Sequence, residues 1–212
     1  MGVIRNLVVR VLDRVKEIPR RGFPELRDHP SDFDREHGVD TSGIVWLTNP
    51  FSRNFTHGIR YQPCAAEACR WAIEASGIDP KDYCFLDVGC GKGRALIVAS
   101  FYEFPRMIGV EYSRSLCRQA RLNLAHCGVA AERYEIVCTD AATFDYPDGN
   151  LFVFLNNPFD RVMIRVVLQR LRNRSGSLFV AFEGAGRVEL QTMDWLSHVG
   201  EGPDTDLFRS VG

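Results

Sequence analysis

The chain has 212 residues, a quarter of them charged, yet a formal net charge of only −1. That length holds one α/β domain with a sizeable core, and the even charge balance provides no global field to attract nucleic acid, which is not expected as a partner. No run of 18 apolar residues occurs, so no transmembrane helix is expected. The seven cysteines form no C-x-x-C pair, so no metal site is expected either.

Residues 3–18 place Val3, Ile4, Leu7, Val8, Val11, Leu12 and Val15 at helical spacing, with Arg5, Arg10, Arg14 and Lys16 on the opposite face. This predicts an amphipathic helix that packs on the domain or a partner, in preference to lying on a membrane surface. Asp13 and Glu17 interrupt it and no A-x-A site follows, so a secretory signal is not expected and a cytoplasmic protein with reduced thiols is. Residues 19–60 are rich in Pro, Gly, Asp and Arg without sustained periodicity and predict an irregular arm. His37 and His57 in this arm are acid/base candidates, with a structural or solvated role the commoner outcome for loop histidines. The reading divides the chain into residues 1–60, helix and arm, and 61–212, the domain.

From Pro63 the alternation becomes regular. Pro63–Ser76 predicts a helix with proline in its first turn, ended by Gly77 and Asp79-Pro80. Strands are expected at 83–88, 107–111, 134–138, 151–155 and 177–183, with helices at 92–102, 113–126 and 160–172 between them. Ser113 is a plausible N-cap. Apolar strands alternating with helices predict a doubly wound, mostly parallel α/β sheet covered by helices on both faces. After Glu183, 29 residues remain, enough for a helix near 188–197 and a last strand near 206–211.

The strand at 83–88 ends in Asp87 and runs into Gly89-Cys90-Gly91-Lys92-Gly93-Arg94. A strand, a glycine-rich turn and a helix N-terminus let a ligand touch backbone. The order D-x-G-x-G-x-G puts a carboxylate before the first glycine, where it repels a pyrophosphate and attracts a cation. Met107-Ile108-Gly109-Val110-Glu111 is a second strand ending in an acid, 24 positions after Asp87, about the ~20-residue offset of a ribose-binding carboxylate. Asp140 follows the third strand, and Asn156-Asn157-Pro158-Phe159 the fourth. In a doubly wound sheet Asp87, Glu111, Asp140, Asn156 and Glu183 gather at one edge, the carboxyl ends of the strands.

These motifs, across roughly Tyr61 to Glu183, resemble the class I S-adenosylmethionine (SAM)-dependent methyltransferases, with their Rossmann-like seven-stranded sheet. The resemblance implies SAM as cofactor, with Gly89, Gly91 and Gly93 under its methionine part, Asp87 facing its ammonium, Glu111 on the ribose and Asp140 on the adenine amino group. It also implies a closing antiparallel hairpin, for which the short C-terminus predicts a shortened form. Tyr61 is a candidate contact at the methionine end, packing on the first helix being the equal alternative. Phe33 to Thr41 with Tyr61-Gln62-Pro63 resembles the leading segment of a group of bacterial methyltransferases.

Asn156, Asn157, Pro158 and Phe159 are the candidate catalytic residues. They resemble the Asn-Pro-Pro-Phe/Tyr motif of amino-group methyltransferases, with Asn157 in place of the first proline. They also resemble the Asn-Asn-Phe stretch of seven-strand histone-lysine methyltransferases. Tyr61, Pro63, Asp87 through Arg94 and Gly109-Val110-Glu111 are similar to mitochondrial protein-lysine methyltransferases. A nitrogen acceptor on a protein or peptide is therefore the expected substrate, the alternatives being a small-molecule acceptor or a non-catalytic SAM-binding module. Arg161, Arg165 and Arg172 share a helix face, read as solvated in preference to a site for an acidic substrate.

Overall fold

The computed structural model describes residues 30–44, 61–156, 159–184 and 186–211. The helix read at 3–18, His57, Asn157 and Pro158 lie outside these. Within them, a short helix α1 (Asp32–His37) precedes α2 (Ala66–Ala75), β1 (Cys84–Val88), α3 (Arg94–Ser100), β2 (Arg106–Glu111), α4 (Arg114–His126), β3 (Tyr134–Cys138) and β4 (Leu151–Asn156). Then follow α5 (Arg161–Arg172), β5 (Leu178–Glu183), α6 (Arg187–Gln191), β6 (Leu196–Gly202) and β7 (Thr205–Ser210).

The seven strands form one sheet in the order β3-β2-β1-β4-β5-β7-β6. β1 to β5 are parallel, while β7 runs antiparallel to both β5 and β6. The strand order reverses at the β1/β4 boundary, where an open parallel sheet leaves a crevice at its carboxyl edge. β1 and β4 lie at the sheet centre and are apolar on both faces, which is why their sequences do not alternate.

Each face carries its own core. On one, α2, α3 and α4 cover Phe85, Phe152 and Phe154, and Phe85 stacks on Phe152 with centroids 5.8 Å apart. On the other, α5 buries Met163, Ile164, Val167, Leu168 and Leu171 against Leu155, Val180 and Phe182. That spacing is one helix face, and each such side chain contributes roughly 1.5–3 kcal/mol on burial. Asp160 caps α5 by accepting from the Met163 amide at 3.0 Å, worth about 1 kcal/mol. By contrast, Ser113 makes no side-chain cap on α4.

The C-terminus departs from the sequence reading. The helix expected at 188–197 ends at Gln191, and residues 196–202 form β6. Pairing along β7 outweighs local helix preference there, because the hairpin seats Leu207 and Phe208, both essentially unexposed, in the two cores. The closing hairpin is thus fully formed, and the helix before it is what is short.

Candidate functional site

Side chains on a strand alternate faces, and paired residues share one. Asp87 is in register with Phe154, two residues before Asn156, and Asn156 is in register with Glu183. Asp87 is also in register with Gly109, two residues before Glu111. Asp87, Glu111, Asn156 and Glu183 therefore project from the same face of the sheet at its carboxyl edge. There a narrow cleft opens, lined among others by Tyr61, Cys64, Asp87, Arg94, Phe154 and Asn156.

The glycine loop is shaped by two close approaches. Gly91 has φ +52°, and a Cβ there would lie 2.2 Å from the Tyr61 ring. Gly93 has φ +87°, and its Cβ would lie 3.2 Å from that of Ala120 on α4. Tyr61 thus packs into the loop itself and also lines the cleft, and its buried hydroxyl donates to the Thr41 carbonyl.

The arm is tied down on this loop. Arg94, 9% exposed, donates from Nε to Thr41 Oγ1 at 2.7 Å, from Nη1 to the Cys64 carbonyl at 3.1 Å, and from Nη2 to Ser31, Asp34 and Ser42. Asp34, at 3% exposure, also accepts from the Thr41 and Ser42 amides. Burial alone would raise the Asp34 carboxyl, but the hydrogen bonds from Thr41 and Ser42 and the Arg94 charge outweigh it and hold it low. Lys92 adds bonds to Asp40 Oδ1 at 2.9 Å and the Ser42 carbonyl at 2.8 Å. Nothing in the residue pattern marked Arg94, Asp34 or Lys92 as structural anchors, although the arginine directly after the third glycine was there to be noticed.

The carboxyls at the cleft are in the opposite condition. Asp87 is 4% exposed and takes no hydrogen bond among the described residues. Burial, reinforced by the nearby Glu111 charge, pushes it up to about 8. Glu111 accepts from the Gly91 amide at 3.1 Å and the Ser113 amide at 2.8 Å. Burial still raises it to about 7 against those bonds. Glu183 accepts from the Ala65 amide at 3.3 Å, and burial together with Asp204 raises it to about 7. The carboxyls at this edge, of which Asp87 lines the cleft, are thus undercompensated, since the Arg94 donors are spent on the arm and on Cys64, and a cation placed beside them would favour their ionised forms.

Other sequence candidates fall as follows. Asn156 donates from Nδ2 to the Gln62 carbonyl at 3.1 Å. Asp140 accepts from the Ala142 amide at 2.9 Å and so shapes its own turn. Phe159 packs against the core on the opposite face. His37 is wedged between Phe33 and Phe101, with centroids 4.5 and 5.4 Å away. Arg161 and Arg165 both reach the buried Glu189, and Arg172 pairs with Asp194. That helix face is therefore internally paired. Tyr112, next to Glu111, has a buried hydroxyl without a partner among the described residues. No group of three metal-binding side chains occurs among the described residues, nor does any helix there have the length and apolarity to cross a membrane.

Residues 85–177 match a family model described as a methyltransferase domain. An RNA methyltransferase from Salinibacter ruber, solved with S-adenosyl-L-homocysteine, overlays with TM-score 0.53 at 19% identity, covering 70% of this chain and 92% of that one. The Escherichia coli protein yhhF, assigned as a methyltransferase, overlays with TM-score 0.58 at 17% identity, covering 80% and 99%. Against a segment described as StiE O-MT, the TM-score is 0.43 at 19% identity, and the match covers 54% of this chain and 43% of that one. No curated protein sequence matches the chain. The fold is the seven-stranded one shared with the first two of these structures.

Proposed function

We propose that this chain, whose core is a SAM-dependent methyltransferase domain of the class I fold, methylates a nitrogen acceptor. The observation that carries this reading is the excess of buried carboxyls at the cleft. Among the described residues Asp87 has neither a hydrogen-bond donor nor a counter-charge, and this suits a ligand with an ammonium group. Glu111 uses one lone pair on each oxygen for Gly91 and Ser113 and keeps others for a ribose diol. The Tyr112 hydroxyl, without a partner among the described residues, adjoins it. These residues fit SAM, and its bound sulfonium supplies an already activated methyl group.

The protein's share of the work is positioning and proton removal. Asn156 stands across the β1/β4 crevice from Asp87, and Gln62 fixes its amide through Nδ2. Its Oδ1 is then the acceptor for an amine N–H, which turns the nitrogen lone pair toward the methyl. An acidic cleft draws amines more than alcohols or phosphates. For that reason a lysine side chain on a protein or peptide is the leading acceptor. A small-molecule amine is the second reading, favoured by the way Tyr61 and Arg94 close one side of the cleft. The resemblance of the solved RNA methyltransferase keeps nucleic acid among the acceptors to be assayed.

Calorimetric titration with SAM, for wild type, Asp87→Ala and Glu111→Ala, tests the cofactor site. Micromolar binding lost in both variants is expected. Transfer of labelled methyl to an oligolysine peptide, a small primary amine and RNA then tests the acceptor. Label that resists alkaline hydrolysis and appears on an amine supports the reading. Label on RNA alone refutes the protein assignment, and binding without turnover on any acceptor points to a non-catalytic module.

A further inference from the structure

A row of polar side chains continues past Asn156 onto a part of the sheet beyond residues 85–177, the span of the family match. Asn156 on β4 is in register with Glu183 on β5, and Glu183 with Thr205 on β7. Phe154, Ala181 and Leu207, which share their face, all lie in the core under α2 and α3. The three polar residues therefore crown that core at the carboxyl edge, beside the cleft.

Two of the three carry an orphaned atom. Glu183 Oε2 and Thr205 Oγ1 are both buried without a hydrogen-bond partner among the described residues, and Thr205 is 0% exposed. Leaving a buried oxygen unpaired is costly. Such groups mark a place for a donor, and the adjoining groups show of what sign. Asp204, directly before Thr205, acts on Glu183 as a second negative charge, and Arg94 only partly offsets it.

We propose that Glu183 and Thr205, next to Asn156, form the site that receives the acceptor's primary aliphatic amine. This deepens the reading above and rests on it. Glu183 Oε2 and Thr205 Oγ1 accept from the ammonium while Asn156 orients it. The N–H bond then breaks, the proton passes to Glu183 Oε2, and the freed lone pair forms the bond to the methyl carbon as its bond to sulfur breaks. Bound SAM would supply that methyl, the electron pair of the broken carbon–sulfur bond staying on sulfur as a neutral thioether. A carboxyl that burial raises to about 7 is matched to this proton transfer near neutral pH.

The test compares two probes by calorimetry at pH 8. S-adenosylhomocysteine has no group at the methyl position. Sinefungin has a carbon in place of the sulfur, and the amine on that carbon stands at the methyl position. Wild type is expected to bind sinefungin about tenfold tighter, the ratio a charge-assisted hydrogen bond supports. Glu183→Gln, nearly isosteric, should bring the ratio to within about twofold while leaving S-adenosylhomocysteine affinity intact, and Thr205→Val should lower the ratio about threefold. Thermal unfolding confirms that each variant folds, and Thr205→Val decides the matter if Glu183→Gln does not. Equal affinities in wild type, or a preference unmoved in the folded variants, overturns the amine site alone. No binding of either probe by folded wild type overturns the SAM reading, and the amine site with it.

Discussion

Replacing Asp87 with asparagine should strengthen the fold and weaken the function. In an unfolded chain this carboxyl ionises with a pKa near 3.8, whereas burial and Glu111 move it to about 8 in the folded state. Between those values the folded state binds more protons than the unfolded state, so the stability contribution is largest at low pH and declines as pH rises, levelling off above 8. At pH 7 the penalty is the pKa difference cut off at 7, roughly 4 kcal/mol at 1.36 kcal/mol per unit. Relaxation around the charge reduces this to about 2–4 kcal/mol. Asparagine has the same shape and carries no such penalty. Urea denaturation at pH 4.5, 6, 7, 8 and 9 should show the smallest difference at the acid end and a gain of about 2–4 kcal/mol for the variant at pH 7. Calorimetry should show SAM affinity falling at least about tenfold, because the ammonium loses its ionised partner. Parallel pH profiles, or a variant less stable than wild type at pH 8, would refute the claim that Asp87 is a buried, uncompensated charge.

Other expectations follow from the same geometry. Asn156→Ala should slow methyl transfer about 100-fold in single-turnover assays, on the scale of losing one oriented polar group, while SAM affinity by calorimetry stays within about threefold. Arg94→Met leaves Asp34 buried without its counter-charge. It should cost roughly 3 kcal/mol by denaturant titration and expose residues 30–44 to limited proteolysis. Gly91→Ala forces a Cβ to 2.2 Å from the Tyr61 ring at φ +52°, and should cost roughly 2–4 kcal/mol. If the ring is the cause, Tyr61→Ala should recover at least about 1 kcal/mol of that in a double-mutant cycle.

The strand at 151–156 was readable because a central parallel strand must be apolar throughout, and the acids Asp87 and Glu111 stand out at the end of the apolar runs of β1 and β2. α5 was equally legible, since its apolar period and its Asp160 cap are local properties. Residues 196–202 misled because their strand state comes from pairing with β7, a contact that no local propensity contains. Phe159 sits beside Asn156 in the chain yet packs against the core on the opposite face. Arg94 was hidden for a related reason: its partners Ser31, Asp34 and Thr41 lie about 50 to 60 residues away in an arm without periodicity.

Local patterning by itself determined the doubly wound fold, the glycine turn and which residues terminate the strands, because hydrophobic period, turn chemistry and chain order are written in neighbouring residues. Tertiary structure alone decided that Asp87, Glu111, Asn156 and Glu183 share a face, that Thr205 joins them from the far side of a hairpin, and that the arm spends the charge of Arg94. Register across a sheet sets which side chains meet, and burial sets what they cost when ionised. Both are properties of distant segments brought together.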